Sequence, residues 1–574
     1  MKYLFLSIIL CSTAIVKAQT AQEIFKTAYN KANNQDHAGA IIDYTRYIAL
    51  IPKDRNAYYN RALSKENTRD YVGAIADYTK AIEINAGDFE AYNRRGIAKS
   101  NIQDYFGALD DFEKALSYNP LSAVVYYNRG IAKEKLNNNI GAIADYTRAT
   151  EIDKNYADAF NYRGVIKNRI KDYLGALSDF DKTLSINPQF KNAIFNRGIA
   201  NENLKKYNDA ILDFTKFIEL SPTDYEAFLF RGNCYSNLNN YTNAMNDYNK
   251  AISLLGTYDK AFFERGNVKE KLKDDIGALA DYTKAIELNP KNHEYWNDRG
   301  VLKVSKKDYT GALYDYNKAI EVNPQFATSY NNRAMIKHSS KDYTGALADY
   351  NTALSLNPQY VKCYFNRAIT KESLQDFTGA LADYDKSISL DTAYAKAYAF
   401  RGHRKQLDND ITGAQSDLNK AIKLNPTDPD AFYYRGMMKK KLTDYSGAIA
   451  DYTKAIELSP TDGNSYFNRG EAKKLSNDLN GAVLDFTKAI SINPADIDAY
   501  FYRGVVKGMQ KEYEAAVLDY SKVIELDAKD QYAYLNRGMN YIVLKQYAKG
   551  CADFKTSSDF GNQQAADYLK QYCK

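Results

Sequence analysis

Proline is scarce in this chain, 11 residues in 574, and histidine is scarcer at four, beside five cysteines and one tryptophan. So few prolines argue against several unrelated domains joined by loops, the organisation that this length would ordinarily suggest. The histidines (His37, His293, His338 and His403) lie far apart and the cysteines are scattered, which leaves little material for a metal centre. An excess of one charge is missing too. Lysine plus arginine number 77 against 71 aspartate plus glutamate, a formal charge of +6 that offers nucleic acid no footprint. There is no glycine-rich phosphate loop after a strand, no paired zinc-ligand spacing and no nucleophile motif. The expectation is therefore no enzyme, no cofactor and no nucleic-acid partner.

One apolar run stands at the N-terminus. Lys2 precedes an apolar stretch from Tyr3 to Val16, and Val16-Lys17-Ala18 follows. A basic start, a short hydrophobic run and a small residue before the cut describe an export signal. Lys17 ends the run short of the roughly 20 apolar residues that a membrane span requires. The expectation is a cleaved signal over residues 1–18 and a mature protein in the periplasm, at the outer membrane or secreted, where cysteine pairs persist.

What the chain has in abundance is aromatic residues, 51 tyrosines and 25 phenylalanines, and they recur in register. An arginine stands at 61, 95, 129 and every 34 residues onward to 537. Counting from that arginine, position +1 is glycine or alanine and +16 is always aspartate. Position −3 is aromatic except at Ile194, and +17 is aromatic except at Leu418. Ten of the eleven prolines fall at +25. A further unit, residues 19–52, keeps Gly39, Asp43, Tyr44 and Pro52 but has Thr27 in place of the arginine, for sixteen units in all. Each unit carries two apolar stripes of helical period, separated by a polar break near +8 and stopped by Asn-Pro. In an antiparallel helix pair, residues equidistant from the turn lie at one level. Arginine 0 should therefore face aspartate +16: Arg61 against Asp77, Arg333 against Asp349.

The unit from Ala57-Tyr-Tyr-Asn-Arg-Ala through Asp70-Tyr-Val-Gly-Ala-Ile-Ala-Asp-Tyr-Thr-Lys-Ala-Ile-Glu-Ile resembles the tetratricopeptide repeat. Ala62, Ala74, Tyr78 and Ala81 match that family's pattern, as does the proline of other units. The resemblance covers residues 19–561. Two positions depart from it, since the family commonly has leucine where this chain has its arginine and tyrosine where it has lysine at +4. The resemblance implies an all-α, right-handed superhelical solenoid with a concave groove. After the turn at Gly561-Asn562, Ala565, Leu569, Tyr572 and Cys573 share one face, which predicts a capping helix over residues 562–574.

The arginine–aspartate ladder reads as scaffold, because both members recur together on the packing face. The lysines at +4 are expected to lay their stems on apolar surface and their ammonium groups in solvent. Positions −2 and +2 point away from the packing face, yet they carry Tyr59, Tyr127, Phe195, Phe263 and Phe365, and Ile97, Ile131, Ile199, Met335 and Ile369. Two readings stay open for this stripe: an apolar peptide groove, or a seam between units. The units between Arg197 and Arg265 depart furthest from the pattern, with Asn201 and Tyr235 for lysine and Asp209 and Asn243 for glycine. Cys551 and Cys573 lie equidistant from the turn at Gly561-Asn562, which predicts a disulfide, while Cys234 and Cys363 read as buried thiols. The function expected is a protein-interaction scaffold that binds proteins or peptides, with a holdase for extended chains as the alternative.

Overall fold

The structure, a computed structural model, describes residues 20–573, so the expected export signal lies outside the described residues. Those residues form 33 α-helices, numbered here in chain order, and no strand. The chain divides into two compact units, one ending at Pro290 and one beginning at Lys291. Helices α1–α16 belong to the first and α17–α33 to the second.

Within each unit the helices alternate, as in α3 (Arg55–Asn67, 13 residues) and α4 (Tyr71–Ile84, 14 residues). Local chemistry sets the boundaries. Asp70 caps α4 by accepting the N–H of Gly73 at 2.9 Å, and its counterparts do the same on other second helices. In three helices both the cap and the glycine are replaced: Lys206, Glu512 and Gln546 stand where the capping residue belongs, Asp209, Ala515 and Lys549 stand where the glycine does, and no side chain caps the helix. In α14 (Tyr241–Leu254) only the glycine is replaced, and Asn240 still accepts the N–H of Asn243. The turn inside each pair passes through one residue with φ between 58° and 68°, from Gln35 to Lys545, and none of the sixteen is glycine. These left-handed residues end the first helix and reverse the chain.

Burial follows the 34-residue register. Ala74, Tyr78 and Ala81 are fully buried in the first unit of the chain, as are Ala448 and Tyr452 in the second. Small residues at +1 make room for the rings at +17. A Cβ added to Gly130 would stand 2.6 Å from the ring of Tyr146. Within each compact unit, first helices pack on their own second helix and on the second helix of the preceding pair, as α3 does on α4 and on α2 (His37–Leu50). First helices of successive pairs also touch, as α9 (Ala157–Arg169) touches α11 (Lys191–Asn203), whereas second helices do not to the same extent. The first helices therefore line the tighter side of each compact unit.

Candidate functional site

The charged ladder is built at the joint between helix pairs. Arg61 donates Nε to Asp77 Oδ2 at 2.8 Å and Nη2 to Oδ1 at 2.7 Å, a bidentate fork on a buried carboxylate. Its remaining nitrogen, Nη1, donates to Thr45 Oγ1 of the preceding pair at 3.0 Å. Arg333 repeats the pattern with Asp349 and with Asn317. The guanidinium also lies over the ring at −3, 5.5 Å from the centroid of Tyr58 for Arg61.

The lysines at +4 do not extend into solvent as the sequence suggests. Lys65 turns back so that Nζ is 2.8 Å from Asp77 Oδ2 and 3.3 Å from the Gly73 carbonyl. All thirteen units with this lysine hold it 2.6–2.9 Å from the aspartate. The reason is satisfaction of a buried acceptor. A carboxylate has about four lone-pair sites and the guanidinium uses two. In twelve units the ladder is thus an Arg–Asp–Lys triad whose cations are already held, which leaves no track for anions.

The stripe at −2 and +2 is partly withdrawn from solvent. Phe365 is buried, at 6% exposure, and Met335 is the one exposed member, at 47%. Tyr59, Ile97, Tyr127, Ile131, Phe195, Ile199, Phe263 and Ile369 are half-buried. The aromatic residues at −2 lean on the core ring at +17, as Tyr59 does on Tyr78 (5.6 Å between centroids) and Phe195 on Phe214 (5.7 Å). Phe365 also meets Phe400 of the next pair at 5.1 Å. An aromatic side chain at −2 is long enough to cross to the following helix pair, so most of the stripe serves as seam.

Three cavities open along that seam at the same register. One lies between α17 (His293–Ser305) and α19 (Ala327–Ser339), about 270 Å³, with Val301, Val304 and Met335 as walls, Tyr316 as floor and Asn332 at the rim. The second, about 330 Å³, has Val505, Gly508 and Met539, with Tyr520 and Asn536. The third, about 190 Å³, has Tyr29, Ala32 and Leu63, with Tyr44 and Asn60. In each case position +5 is small or β-branched, namely Val304, Gly508 or Ala32, where other units place longer side chains such as Glu66 or Lys440. A short side chain at +5 accompanies each of these cavities, at a position that in other units is often acidic, as at Glu66, Glu134 and Glu270.

Comparison with known proteins gives this geometry its family. The description "Tetratricopeptide repeat" matches residues 56–88, 123–156, 192–224, 225–254, 259–292, 327–360, 429–462 and 463–496, and "TPR repeat" matches 302–339. Together the matches span just over half of the sequence. The chain is a tetratricopeptide repeat protein.

No curated protein matches this tetratricopeptide array. Among solved structures, it is similar to the APC/C hetero-tetramer Cut9-Hcn1 at 15% identity, covering 93% of this chain and 98% of that one, with a TM-score of 0.41. A tetratricopeptide repeat protein from Parabacteroides merdae ATCC 43184 matches at 19% identity over 45% of this chain and 98% of its own, TM-score 0.33. Yeast Tom70 matches at 18% identity over 84% and 99%, TM-score 0.33. Scores this low say nothing about what the array binds.

At the end of the array, Cys551 of α32 (Tyr547–Asp559) is disulfide-bonded to Cys573, which follows α33 (Gln563–Tyr572), with Cα atoms 5.7 Å apart. Cys234 and Cys363 are buried free thiols. No group of three His, Cys, Asp or Glu side chains among the described residues could hold a metal ion. His403 stacks on Tyr434 with centroids 4.2 Å apart, and burial together with Arg404 lowers its pKa to about 4. His338 pairs through Nδ1 with Thr370 Oγ1 at 3.0 Å. Among the described residues, no helix is long and apolar enough to cross a membrane.

Proposed function

We propose that this tetratricopeptide array is a non-enzymatic scaffold acting outside the cytoplasm, which binds partner proteins or peptides along its first-helix face. The observation that carries the reading is the recurrence of a cavity at one register with a buried tyrosine floor and an asparagine rim, its walls apolar beside Met335 and Met539 and more polar beside Ala32, where Asn33, His37, Ser64 and Asn67 join the lining. Each cavity accepts an apolar side chain, worth about 1.5–3 kcal/mol when fully buried. The rim asparagine offers two donors and an acceptor to an extended backbone.

The methionines favour a second reading. Met335, Met509 and Met539 line two of the cavities, and such side chains repack around unlike partners. A holdase that binds extended or unfolded polypeptides would use walls of this kind. Export rests on Lys2, the apolar run Tyr3–Val16 and Ala18, and is supported by the disulfide at the other end of the chain. The intact mass of protein isolated from its source tests that part: a chain that begins at Gln19 agrees, and one that retains Met1 or Lys2 does not.

Cross-linked capture from the native envelope fraction tests the binding face, comparing the natural chain with a Val301→Lys, Met335→Lys variant. One or two stoichiometric partners lost in the variant indicate a scaffold. A broad, weakly bound set lost in the variant indicates a holdase. Partners retained in full place binding elsewhere.

A further inference from the structure

The helix pair α11 and α12 (Tyr207–Leu220) breaks the triad in a way that no other pair does. Three units lack the lysine at +4. Two of them carry a tyrosine there: Tyr235 packs into an apolar cluster, and Tyr541 lies beside the Arg537 guanidinium and the Lys549 ammonium. The third carries Asn201, which is too short to fill the space. Its Nδ2 reaches Asp213 Oδ2 at 3.1 Å, a neutral donor where thirteen other units supply an ammonium.

A cavity of about 280 Å³ lies beside this pair, with Asp213 and Asn201 in its lining, Leu177 and Leu212 as apolar wall, and Lys206 and Asp209 exposed in its lining. Arg197 also lines it but is engaged, with Nη2 2.5 Å from Asp213 Oδ1 and Nη1 2.7 Å from Asp181 Oδ1. Three carboxylates against two cations leave the lining one negative charge in excess. Burial raises the Asp213 carboxyl above its ordinary range despite Arg197 and Asn201, and Asp181 adds to the rise.

We infer that this cavity is a receptor for a primary alkylammonium group, which takes the place that a lysine of the chain occupies in thirteen other units. The ammonium donates to Asp213 and to the main-chain carbonyl of residue 209, the register at which the Gly73 carbonyl receives Lys65. The alkyl stem lies along Leu177 and Leu212. A free small amine and a lysine side chain of a partner share this chemistry. The site stands apart from the seam cavities and does not depend on them.

The test is hydrogen exchange across α11 and α12 of the whole protein, at constant ionic strength, with n-butylammonium and with Nα-acetyl-lysine N-methylamide as probes. At a probe concentration equal to its Kd, local opening should become about twofold rarer. Tetramethylammonium, which cannot donate a hydrogen bond, should leave exchange unchanged. Asn201→Lys should abolish the response by supplying the missing ammonium from within. Should that variant lose its helical signal, Asn201→Met fills the cavity without a charge and is expected to do the same. Response to either probe alone supports the site and identifies the source it prefers. No response to either probe overturns the inference, as does an equal response in the filled variants. A response seen only after Lys206→Gln also overturns it, because Lys206 would then be the native occupant.

Discussion

Arg333 and Asp349 meet through two parallel hydrogen bonds, Nε to Oδ2 at 2.8 Å and Nη2 to Oδ1 at 2.6 Å, while Arg333 Nη1 crosses to Asn317 of the preceding helix pair. One side chain thus closes its own pair and joins it to its neighbour. Arg333→Ala should cost about 3 kcal/mol, at the low end for breaking a buried pair because Lys337 stays on Asp349. The double variant with Asp349→Leu should be less unstable than the sum of the single variants. Urea unfolding of the four proteins checks this, and strict additivity would show that the two residues are not coupled.

Thr443 holds φ at +61° in the turn between α25 (Pro429–Lys441) and α26 (Tyr445–Leu458). A β-branched residue suffers there more than the lysines and asparagines at the same register. Thr443→Gly should stabilise by about 1 kcal/mol, read as a higher urea midpoint at unchanged m. A lower midpoint would mean that the relief is smaller than the chain entropy that glycine adds.

Glu202 carries a carboxyl pushed up to about 7 by burial and by nearby Glu264. Its folded pKa lies above the unfolded value, so the folded state binds the extra proton between about 4.5 and 7. Stability from this group is present below that window and is lost as pH rises through it. Glu202→Gln, which mimics the protonated form, should raise Tm at pH 8 and change it little at pH 4. An equal gain at both values would contradict the assignment.

The Cys551–Cys573 bond closes a loop across the last helices, and removing it should cost the end of the array about 3 kcal/mol on the chain-entropy model. In a repeat array such a loss stays local. Cys551→Ala with Cys573→Ala should speed hydrogen exchange in α33 and leave α3 and α4 unchanged. Uniform acceleration would mean that the array unfolds as a single block.

The helix pairs were legible because the arginine register has no insertion, and equidistance from the turn at +8 aligns Arg61 with Asp77 without further information. The fold-back of Lys65 was not legible. A lysine at +4 on a helix face reads as a solvated stem unless the buried carboxylate beneath it is known to be short of donors. The seam was only half legible. Whether Phe365 faces solvent or Phe400 depends on the rotation between successive pairs, which no single unit encodes. The cavities accompany a short side chain at +5, and Val304 and Gly508 look like ordinary drift until their neighbours across the joint are in view.

The central claim is that polypeptide binds along the first-helix seam, and hydrogen exchange on the complex with a captured partner tests it most directly. The account predicts protection concentrated in α17, α19 and the first helices around Val505 and Met539, and its loss with Met335→Lys. Protection confined to second helices, or unchanged by Met335→Lys, would contradict it.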